Sequence, residues 1–310
     1  MRLPAAAFAL ALALGLGTAA GAKDAAPPGE PRLMPVVGSI ETTLARTEDT
    51  LLDVAFENRL GFEAVARLNA EVDPWIPTPG TVLLLPTRFV LPDVEAKGLV
   101  INVPEMRLYD FTVEPLEVFA AAIGDMADRS LIGEFRIGAK RKDPAWYVPK
   151  SIQAEKPDLP AVVPAGPDNP LGSRWMTIGK TSYGIHGTNV RWSIGRMATH
   201  GCIRLYEDEV QRLYDRTPTG TPIRLVYQPF KWGVLGRDLY LEAHPDLYEL
   251  HPDRVYEALR TPRALGLLPA LDVERVLDAI DRVRGVPERV GRLPEDTPPP
   301  TSRTTSRPTS

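Results

Sequence analysis

The sequence is poorest in cysteine, with one residue, Cys202, in a chain of 310. A single thiol cannot form a disulfide within the chain, and paired C-x-x-C metal sites are excluded for the same reason. In an exported protein, a leftover cysteine is either a reactive thiol or an intermolecular link. The net charge is also small, at -4, so the composition gives no indication of a nucleic-acid partner. Cys202 is therefore the first candidate for chemistry.

Long hydrophobic runs are absent after the N-terminus, and the one at the N-terminus is short. Residues 1–22 are predicted to be a signal peptide: Arg2 supplies the positive charge, residues 5–16 are apolar, and small residues follow at 17–22. About 18 or more apolar residues are needed to span a bilayer, which favours cleavage over an uncleaved membrane anchor. No cysteine stands at the cleavage point, so a lipoprotein signal is excluded.

Proline is plentiful, with 32 residues, and its clusters help to divide the chain into segments. Residues 23–35 are predicted to be a linker, because Pro and Gly there prevent regular structure. Residues 36–88 form a first unit and residues 97–227 a second one. A C-terminal extension with short helices is predicted for residues 228–293. The last segment, 294–310, is dominated by Pro, Thr, Ser and Arg and is predicted to be disordered, since it cannot bury a core.

The first unit is predicted to have the order strand, helix, helix, strand. Apolar residues follow Thr50, a suitable helix cap, with helical spacing; they do so again from Phe62 to Leu68, and residues 80–86 have the pattern of a strand. The pattern D-T-L…V-A…L-x-x-x-N…I-P…G-x-x-L-x-L-P resembles a LysM module, a small glycan-binding fold. Glu48 stands where members of that family usually carry glycine. The alternative interpretation is a small packing domain without a ligand.

The second unit is predicted to be mainly β. Short runs rich in β-formers are separated by turn residues, and two of the expected strands lie at residues 175–178 and 183–186. The one clear helix is predicted for residues 207–216, where apolar residues are spaced for one face. Residues 143–172 are Pro-rich and long for a loop, and such loops are usually either functional or disordered.

The extension has weaker patterns. Residues 239–242 indicate an added strand, and residues 253–260 and 272–284 are predicted to be short surface helices. His244 and His251 lie in a polar stretch, so both are interpreted as surface residues. The sequence does not indicate what this segment does.

Two short motifs, I-H-G-T-N around His186 and T-H-G-C-I-R-L around Cys202, combine a histidine with the lone thiol. A thiol attacks as the thiolate, and free cysteine has a pKa of about 8.5, so a base within hydrogen-bond reach is needed. The two residues are too far apart for neighbouring turns of one helix, but a strand, a loop and a return can bring them together. Gly201 allows close backbone approach, and the N–H groups of Gly201 and Cys202 can form an oxyanion hole.

These motifs resemble the catalytic signature of L,D-transpeptidases with a YkuD-type domain, H-G-x…[ST]-x-G-C-[IV]-R-[LM], and every fixed position is present. Residues 103–109 and 159–170 also resemble segments of the periplasmic group of this family. The resemblance implies a periplasmic enzyme. The implied fold is a mainly β catalytic domain, an L,D-transpeptidase-type β-sandwich, preceded by the small α+β unit with its βααβ order.

The resemblance also implies a thioester mechanism. Cys202 attacks the diaminopimelate carbonyl of a tetrapeptide stem, D-alanine leaves, and an acceptor amine resolves the thioester. His186 is implied to be the base, with the carbonyl of Gly187 orienting its imidazole. The implied partners are peptidoglycan stem peptides and glycan strands, and the acceptor is a second stem or an outer-membrane lipoprotein. No cofactor and no metal are implied.

Several alternatives stay open. His200 either positions the donor or only lines the pocket, and Arg204 either binds a substrate carboxylate or forms a structural ion pair. A metal site made of His186, His200 and Cys202 is disfavoured because the signature holds no fourth ligand. A hydrolase that uses water as the acceptor, such as an L,D-carboxypeptidase or a crosslink-cleaving enzyme, would have the same residues. A catalytically silent wall-binding protein is disfavoured by the intact signature.

Overall fold

The computed structural model describes residues 31–295, in which strands and helices are numbered along the chain. The strands are β1 (Met34–Gly38), β2 (Glu41–Leu44), β3 (Val82–Leu85), β4 (Arg88–Val90), β5 (Leu99–Asn102), β6 (Arg107–Asp110), β7 (Glu117–Ala120), β8 (Ile123–Gly124), β9 (Gly133–Lys142), β10 (Trp146–Tyr147), β11 (Val162–Val163), β12 (Arg174–Ile178), β13 (Gly184–His186), β14 (Met197–Thr199), β15 (Ile203–Arg204), β16 (Pro222–Val226), β17 (Phe230–Leu235), β18 (Asp238–Ala243) and β19 (Pro287–Arg292). The helices are α1 (Leu51–Glu57), α2 (Phe62–Leu68), α3 (Lys150–Glu155), α4 (Glu207–Arg216), α5 (Arg254–Ala264) and α6 (Val273–Arg282).

The N-terminal module, β2-α1-α2-β3, has the predicted order, and β2 pairs with β3 in antiparallel register. Thr50 caps α1: its hydroxyl accepts a hydrogen bond from the Asp53 N–H at 3.1 Å, and the Asp53 carboxylate accepts one from the Thr50 N–H. Glu48 has a φ of +71°, a left-handed conformation that glycine adopts at lower cost. This conformation gives a physical reason for glycine at that place in LysM modules. The LysM assignment itself stays a prediction.

An eight-stranded sheet forms the second unit, in the order β15-β13-β12-β9-β16-β5-β6-β7. Helix α4 begins and ends at the predicted residues, with acidic side chains in its first turn and Arg216 in its last, as the helix dipole favours. Its apolar face packs on the sheet in one large core. The prediction of a mainly β second unit is confirmed. The sheet's buried residues include Ile101, Leu108, Ile185, Ile203 and Leu225.

The long stretch 143–172 contains β10, α3 and β11. Buried Asn169 holds its end in place: the amide nitrogen donates to the carbonyls of Pro144 and Pro164 at 2.8 and 3.0 Å. The amide oxygen accepts a hydrogen bond from the N–H of Leu171 at 2.9 Å. These bonds fix the backbone just before β12, where the stretch meets the candidate site.

A five-stranded sheet, in the order β19-β18-β17-β1-β4, joins the two ends of the described chain. β1 pairs in parallel with β17 and antiparallel with β4. The predicted linker 23–35 is therefore wrong at its end, because Met34 already belongs to this sheet. The predicted unit 36–88 is also too long, since residues 36–38 and 88 belong to the same sheet. Strands so distant in sequence pair through long-range contacts, which local patterns do not report.

Helices α5 and α6 cover this C-terminal sheet. Trp232 of β17 and Val290 of β19 form one buried cluster with Ala258 of α5 and Val276 and Ile280 of α6. The Trp232 indole N–H donates to the carbonyl of Ala258 at 2.6 Å. The prediction of short surface helices is therefore wrong in one respect: each helix buries one face, and the extension contributes a core of its own.

A buried ionic network joins the C-terminal sheet to the eight-stranded sheet. Glu242 accepts hydrogen bonds from Arg107 at 3.1 Å and from His244 at 2.8 Å, and Lys231 lies 2.8 Å from Glu105. His244 is 2% exposed, so its interpretation as a surface residue is wrong. Burial by itself raises the pKa of Glu242, but Lys231, His244 and Arg107 lower it to about 2. Glu242 is therefore ionised at neutral pH.

We expect Glu242→Ala to lower the free energy of unfolding by about 3–5 kcal/mol, because Arg107 and Lys231 remain as buried cations without this partner. The folded-state pKa is lowered, so this stabilisation is present above the unfolded value of about 4.3 and is lost as the pH falls toward about 2. Urea denaturation at neutral pH measures it. Glu274→Ala, the same change at an exposed position of α6, is the matched control. Equal losses in the two variants would contradict the expectation.

Two predictions fall outside the described residues: the signal peptide at 1–22, and all but the first two residues of the disordered segment 294–310. Leu293 is buried in an apolar cluster with Leu239 and Leu267, so the packed chain reaches the predicted start of that segment. Within residues 31–295, none of the helices has the length and apolar character needed to cross a membrane.

Candidate active site

Two neighbouring strands bring His186 and Cys202 together. His186 ends β13, and Cys202 directly precedes β15, which pairs in parallel with β13. The register aligns His186 with Arg204, two residues after Cys202. Because side chains alternate along a strand, the side chains of His186 and Arg204 lie on one face, and Cys202 stands at the start of the return strand, two positions before Arg204. The structure thus has the arrangement that the motif spacing indicated: a strand, a loop and a return.

The imidazole of His186 is buried and held by the backbone of the next residue. Nδ1 lies 2.7 Å from the carbonyl oxygen of Gly187, so Nδ1 carries the proton and Nε2 is left as an acceptor. Burial lowers the pKa of His186 to about 3, assisted by the positive charge of Arg204 and opposed by the carbonyls of Gly187 and Leu171. The ring is therefore neutral at neutral pH and able to accept a proton.

Trp175 stacks on this imidazole. The register of β12 and β13 places the two residues opposite each other, and their rings are 5.6 Å apart between centroids at 19°. The Trp175 indole N–H donates to the hydroxyl of Thr177 at 2.9 Å, which fixes the orientation of the indole. Sequence reasoning missed this contact, because cross-strand pairing decides it. The indole covers one face of the imidazole and excludes water from it.

Cys202 as a whole residue is partly exposed, and the chain has no second cysteine to pair with it. Burial raises its pKa, whereas a backbone hydrogen bond at Gly184 and the charge of Arg204 lower it, and the net change is upward. The thiol is therefore protonated at neutral pH. A neutral imidazole on the adjacent strand can remove its proton as a general base, without a preformed thiolate–imidazolium pair.

Two residues of the signature shape the turn that presents the thiol. Gly201 has a φ of +92°, and a Cβ at this position would lie 2.5 Å from the ring of Tyr183. Both the conformation and the available space therefore require glycine. The hydroxyl of Thr199 donates to the carbonyl of Cys202 at 2.6 Å. The signature threonine thus holds the cysteine backbone.

Glu207, the first residue of α4, lies behind Gly187. Its Oε1 accepts hydrogen bonds from the Ser173 hydroxyl and, at 3.0 Å, from the Ser173 N–H. Its Oε2 is buried without a hydrogen-bond partner among residues 31–295, and would lie 2.1 Å from a Cβ at Gly187 and 2.2 Å from one at Gly172. Space therefore requires glycine at position 187. Sequence reasoning missed this role; the available signal was an acidic residue two positions after the signature.

The positive charge of Arg204 acts on both candidate reacting groups. It lowers the pKa of His186 and the pKa of Cys202. Within the described chain, no ion pair joins it to a carboxylate, and its buried Nε has no hydrogen-bond partner. Arg204 therefore has no carboxylate partner for a structural ion pair among residues 31–295. The guanidinium is available for an anionic group of a ligand.

His200 contacts carboxylates rather than the two candidate reacting groups. Its Nδ1 lies 2.7 Å from Asp128, and its Nε2 lies 3.9 Å from Glu155 at the end of α3. The contact connects the second motif to the long stretch 143–172. Both predicted roles of His200, positioning the donor and lining the pocket, stay predictions.

Two groups of histidine and carboxylate side chains in the described chain resemble metal sites. Asp128, Glu155 and His200 come close enough to hold an ion, but they are partly exposed and no second feature indicates one. The buried ionic network is the other such group in the described range, and its two cations already neutralise its carboxylates. His186 and Cys202 belong to neither group.

Known proteins similar to this chain identify the family. Residues 96–225 match the YkuD L,D-transpeptidase catalytic domain. The probable L,D-transpeptidase ErfK/SrfK of Salmonella typhimurium (strain LT2) is 34% identical over 247 residues, which are 74% of this chain and 79% of that protein. The probable L,D-transpeptidase YbiS of Escherichia coli (strain K12) is 33% identical over 250 residues, or 76% and 81% of the two chains.

A solved structure, that of L,D-transpeptidase 3 from Mycobacterium tuberculosis, aligns at 13% identity with a TM-score of 0.34 over 64% of this chain and 96% of that one. The sequence relatives are much nearer, and they confirm the resemblance to the YkuD-type family that the two motifs indicated. The chain therefore belongs to the L,D-transpeptidase family and is an enzyme.

Proposed function

We propose that this enzyme acts in the periplasm on peptidoglycan, with Cys202 as the nucleophile and His186 as the base. The observation that carries the proposal is a neutral, buried imidazole, fixed through Nδ1 by Gly187, on the strand beside the lone thiol. In the first step, Sγ of Cys202 attacks the diaminopimelate carbonyl of a tetrapeptide stem. The C–N bond to the terminal D-alanine breaks, and a thioester remains on the enzyme.

His186 moves the protons of both steps. Its Nε2 takes the thiol proton during attack and gives it to the nitrogen of the departing D-alanine. It then takes a proton from the acceptor amine as that amine attacks the thioester, and returns this proton to Sγ of Cys202 as the C–S bond breaks. The imidazole is neutral at neutral pH before each transfer, so Nε2 can accept a proton. We assign the oxyanion to the backbone N–H groups at Gly201 and Cys202, where the positive φ shapes the turn.

Arg204 is assigned to the carboxylate of the terminal D-alanine, because its guanidinium has no carboxylate partner within residues 31–295. We expect Arg204→Gln to raise the KM for a soluble tetrapeptide donor roughly tenfold to a hundredfold, since a charged hydrogen bond contributes about 1.5–3 kcal/mol. A donor that ends in D-alaninamide should bind both forms of the enzyme equally weakly. Arg212→Gln, on the exposed side of α4, is the matched control. The same KM ratio with both donors would contradict the assignment.

The acceptor is a primary amine on a flexible chain, either diaminopimelate of a second stem or the terminal lysine of an outer-membrane lipoprotein. We favour crosslinking of two stems, because it requires no partner protein. The experiment supplies tetrapeptide donor alone, and then donor with a lysine-ended peptide, and identifies the products by mass. Dimeric muropeptides from the donor alone are the expected result. Coupling only to the lysine peptide would contradict crosslinking and indicate that the lipoprotein is the acceptor.

A hydrolase is the second candidate function, since water can resolve the same thioester. Release of free tripeptide without any coupled product would favour an L,D-carboxypeptidase. Absence of both a product and a covalent adduct would favour a catalytically silent wall-binding protein. For the N-terminal module we propose glycan binding, supported by its βααβ order and the left-handed Glu48 at the glycine position of LysM modules.

A further inference from the structure

The connector, residues 187–201, joins His186 to Cys202, and its middle part is covered by the N-terminal module. The N–H groups of Phe62 and Glu63, in the first turn of α2, donate to the carbonyls of Ile194 and Gly195 at 3.3 and 3.4 Å. First-turn N–H groups have no partner within their own helix, and the residue before α2 provides no side-chain cap. The connector therefore supplies hydrogen-bond acceptors for the first turn of α2, and these bonds fix the position of the connector.

Two glycines let these backbones touch. Gly61 precedes α2 and Gly195 lies in the connector with a φ of +76°. A Cβ at Gly61 would lie 2.9 Å from the Cα of Gly195, and a Cβ at Gly195 would lie 2.2 Å from the Cα of Gly61. Gly61 itself has a φ of -79°, which any residue can adopt. A side chain at Gly61 would thus disturb the contact and not the helix.

Aromatic and charged side chains surround this contact. Phe56 of α1 meets the ring of Tyr206 at 5.6 Å between centroids and the guanidinium of Arg191 at 4.2 Å. The Tyr206 hydroxyl donates to the carbonyl of Leu60 at 2.8 Å. Phe56 packs with Ile194 and Tyr206 and is not part of the module's own core. Its apolar surface is therefore buried by docking rather than by folding of the module.

The opposite side of the connector is bonded to the catalytic domain. The N–H of Gly195 donates to the carbonyl of Ala121, and the N–H of Ile123 donates to the carbonyl of Arg196, both at 3.1 Å. The connector thus lies between the N-terminal module and the catalytic domain, and it is flanked in sequence by His186 and Cys202. Displacing it by a fraction of an ångström would change the relative placement of His186 and Cys202.

We propose that the N-terminal module is a positioning element of the active site, with Phe56 and Gly61 as positioning residues that act through the connector. This role goes beyond holding the enzyme near glycan. It rests on the proposed function in one respect, the assignment of His186 and Cys202 as the reacting pair. A module that only tethers the enzyme would leave the turnover of a small soluble donor unchanged.

The experiment uses full-length Gly61→Val and Phe56→Ala, with Ala70→Val as a matched control at an exposed position of the module. We measure kcat and KM with a soluble tetrapeptide donor, the pH profile of Cys202 alkylation by iodoacetamide, and pelleting with sacculi. Both positioning variants are expected to lose kcat by about tenfold to a hundredfold with little change in KM, since small misplacements of reacting groups have effects of that size. Their alkylation profiles should shift, whereas Ala70→Val should behave like the unchanged enzyme.

Unchanged kcat and alkylation profiles in Phe56→Ala, whether or not pelleting changes, would overturn the proposal and leave the module no role in positioning the site. Circular dichroism checks folding, and Phe56→Ala decides the matter if Gly61→Val does not fold. Failure of the proposed function is recognised separately, because the unchanged enzyme would then form no adduct with the donor. The alkylation profiles report on the thiol whether or not the donor is the right substrate.

Discussion

Cys202→Ala is expected to abolish both the covalent adduct and turnover, because the lone thiol is the only group in the chain that can form the thioester. Intact mass after mixing with a tetrapeptide donor should show the enzyme plus the tripeptide-containing stem fragment for the unchanged enzyme alone. The fold should be retained, since the side chain is small and partly exposed. Thermal denaturation and circular dichroism measure that retention.

Cys202→Ser is the matched control for this experiment. It keeps the size and polarity of the side chain but replaces the thiol by a much weaker nucleophile at neutral pH. We expect it to bind the donor with a KD near that of Cys202→Ala and to form no adduct on the timescale of turnover. An adduct that persists in Cys202→Ala would place the nucleophile elsewhere and contradict the assignment.

His186→Ala is expected to slow acylation of Cys202 by a factor of about 10² to 10⁴, the usual contribution of a positioned general base. The reason is that burial raises the pKa of the thiol, so very little thiolate is present at neutral pH without a base. Single-turnover acylation by a carbapenem, whose strained carbonyl replaces the donor amide, measures the rate constant directly.

The pH dependence of acylation distinguishes attack assisted by His186 from attack by a thiolate formed without a base. In the unchanged enzyme, His186 is neutral above its pKa of about 3, so the rate should be nearly flat between about pH 5 and 8. In His186→Ala only the thiolate reacts, and the rate should rise about tenfold per pH unit up to the pKa of the thiol. A steep profile in the unchanged enzyme would show that His186 is not the base.

The free energy of unfolding should also depend on the protonation of His186. The folded-state pKa of His186 is lowered, so neutral imidazole is favoured by the native state, and stability is lost as the pH falls from about 6.5 toward about 3. His186→Ala should therefore lose less stability over this range than the unchanged enzyme does. His251→Ala, at a partly exposed histidine far along the chain, is the control for a general effect of removing an imidazole.

The amino-acid sequence by itself determined the family of this protein and its local elements of secondary structure. One thiol inside a complete signature predicted the family, and the relatives confirm it. Helix α4 was predicted to the residue, because an amphipathic pattern and charged ends are encoded within ten neighbouring positions. The βααβ order of the module was predicted for the same reason, since helix caps and periodicity act over a few residues.

The tertiary structure alone decided which distant segments meet. Pairing of β1 with β17 places Met34 in the C-terminal sheet. His244 is buried beside Glu242 and Lys231, although it lies in a polar stretch of the sequence. Cross-strand register put Trp175 on the imidazole of His186. Periodicity reports that a face is buried but not which element covers it, because the covering element is selected by long-range packing. For the same physical reason, only the folded chain shows that the N-terminal module packs on the connector between His186 and Cys202.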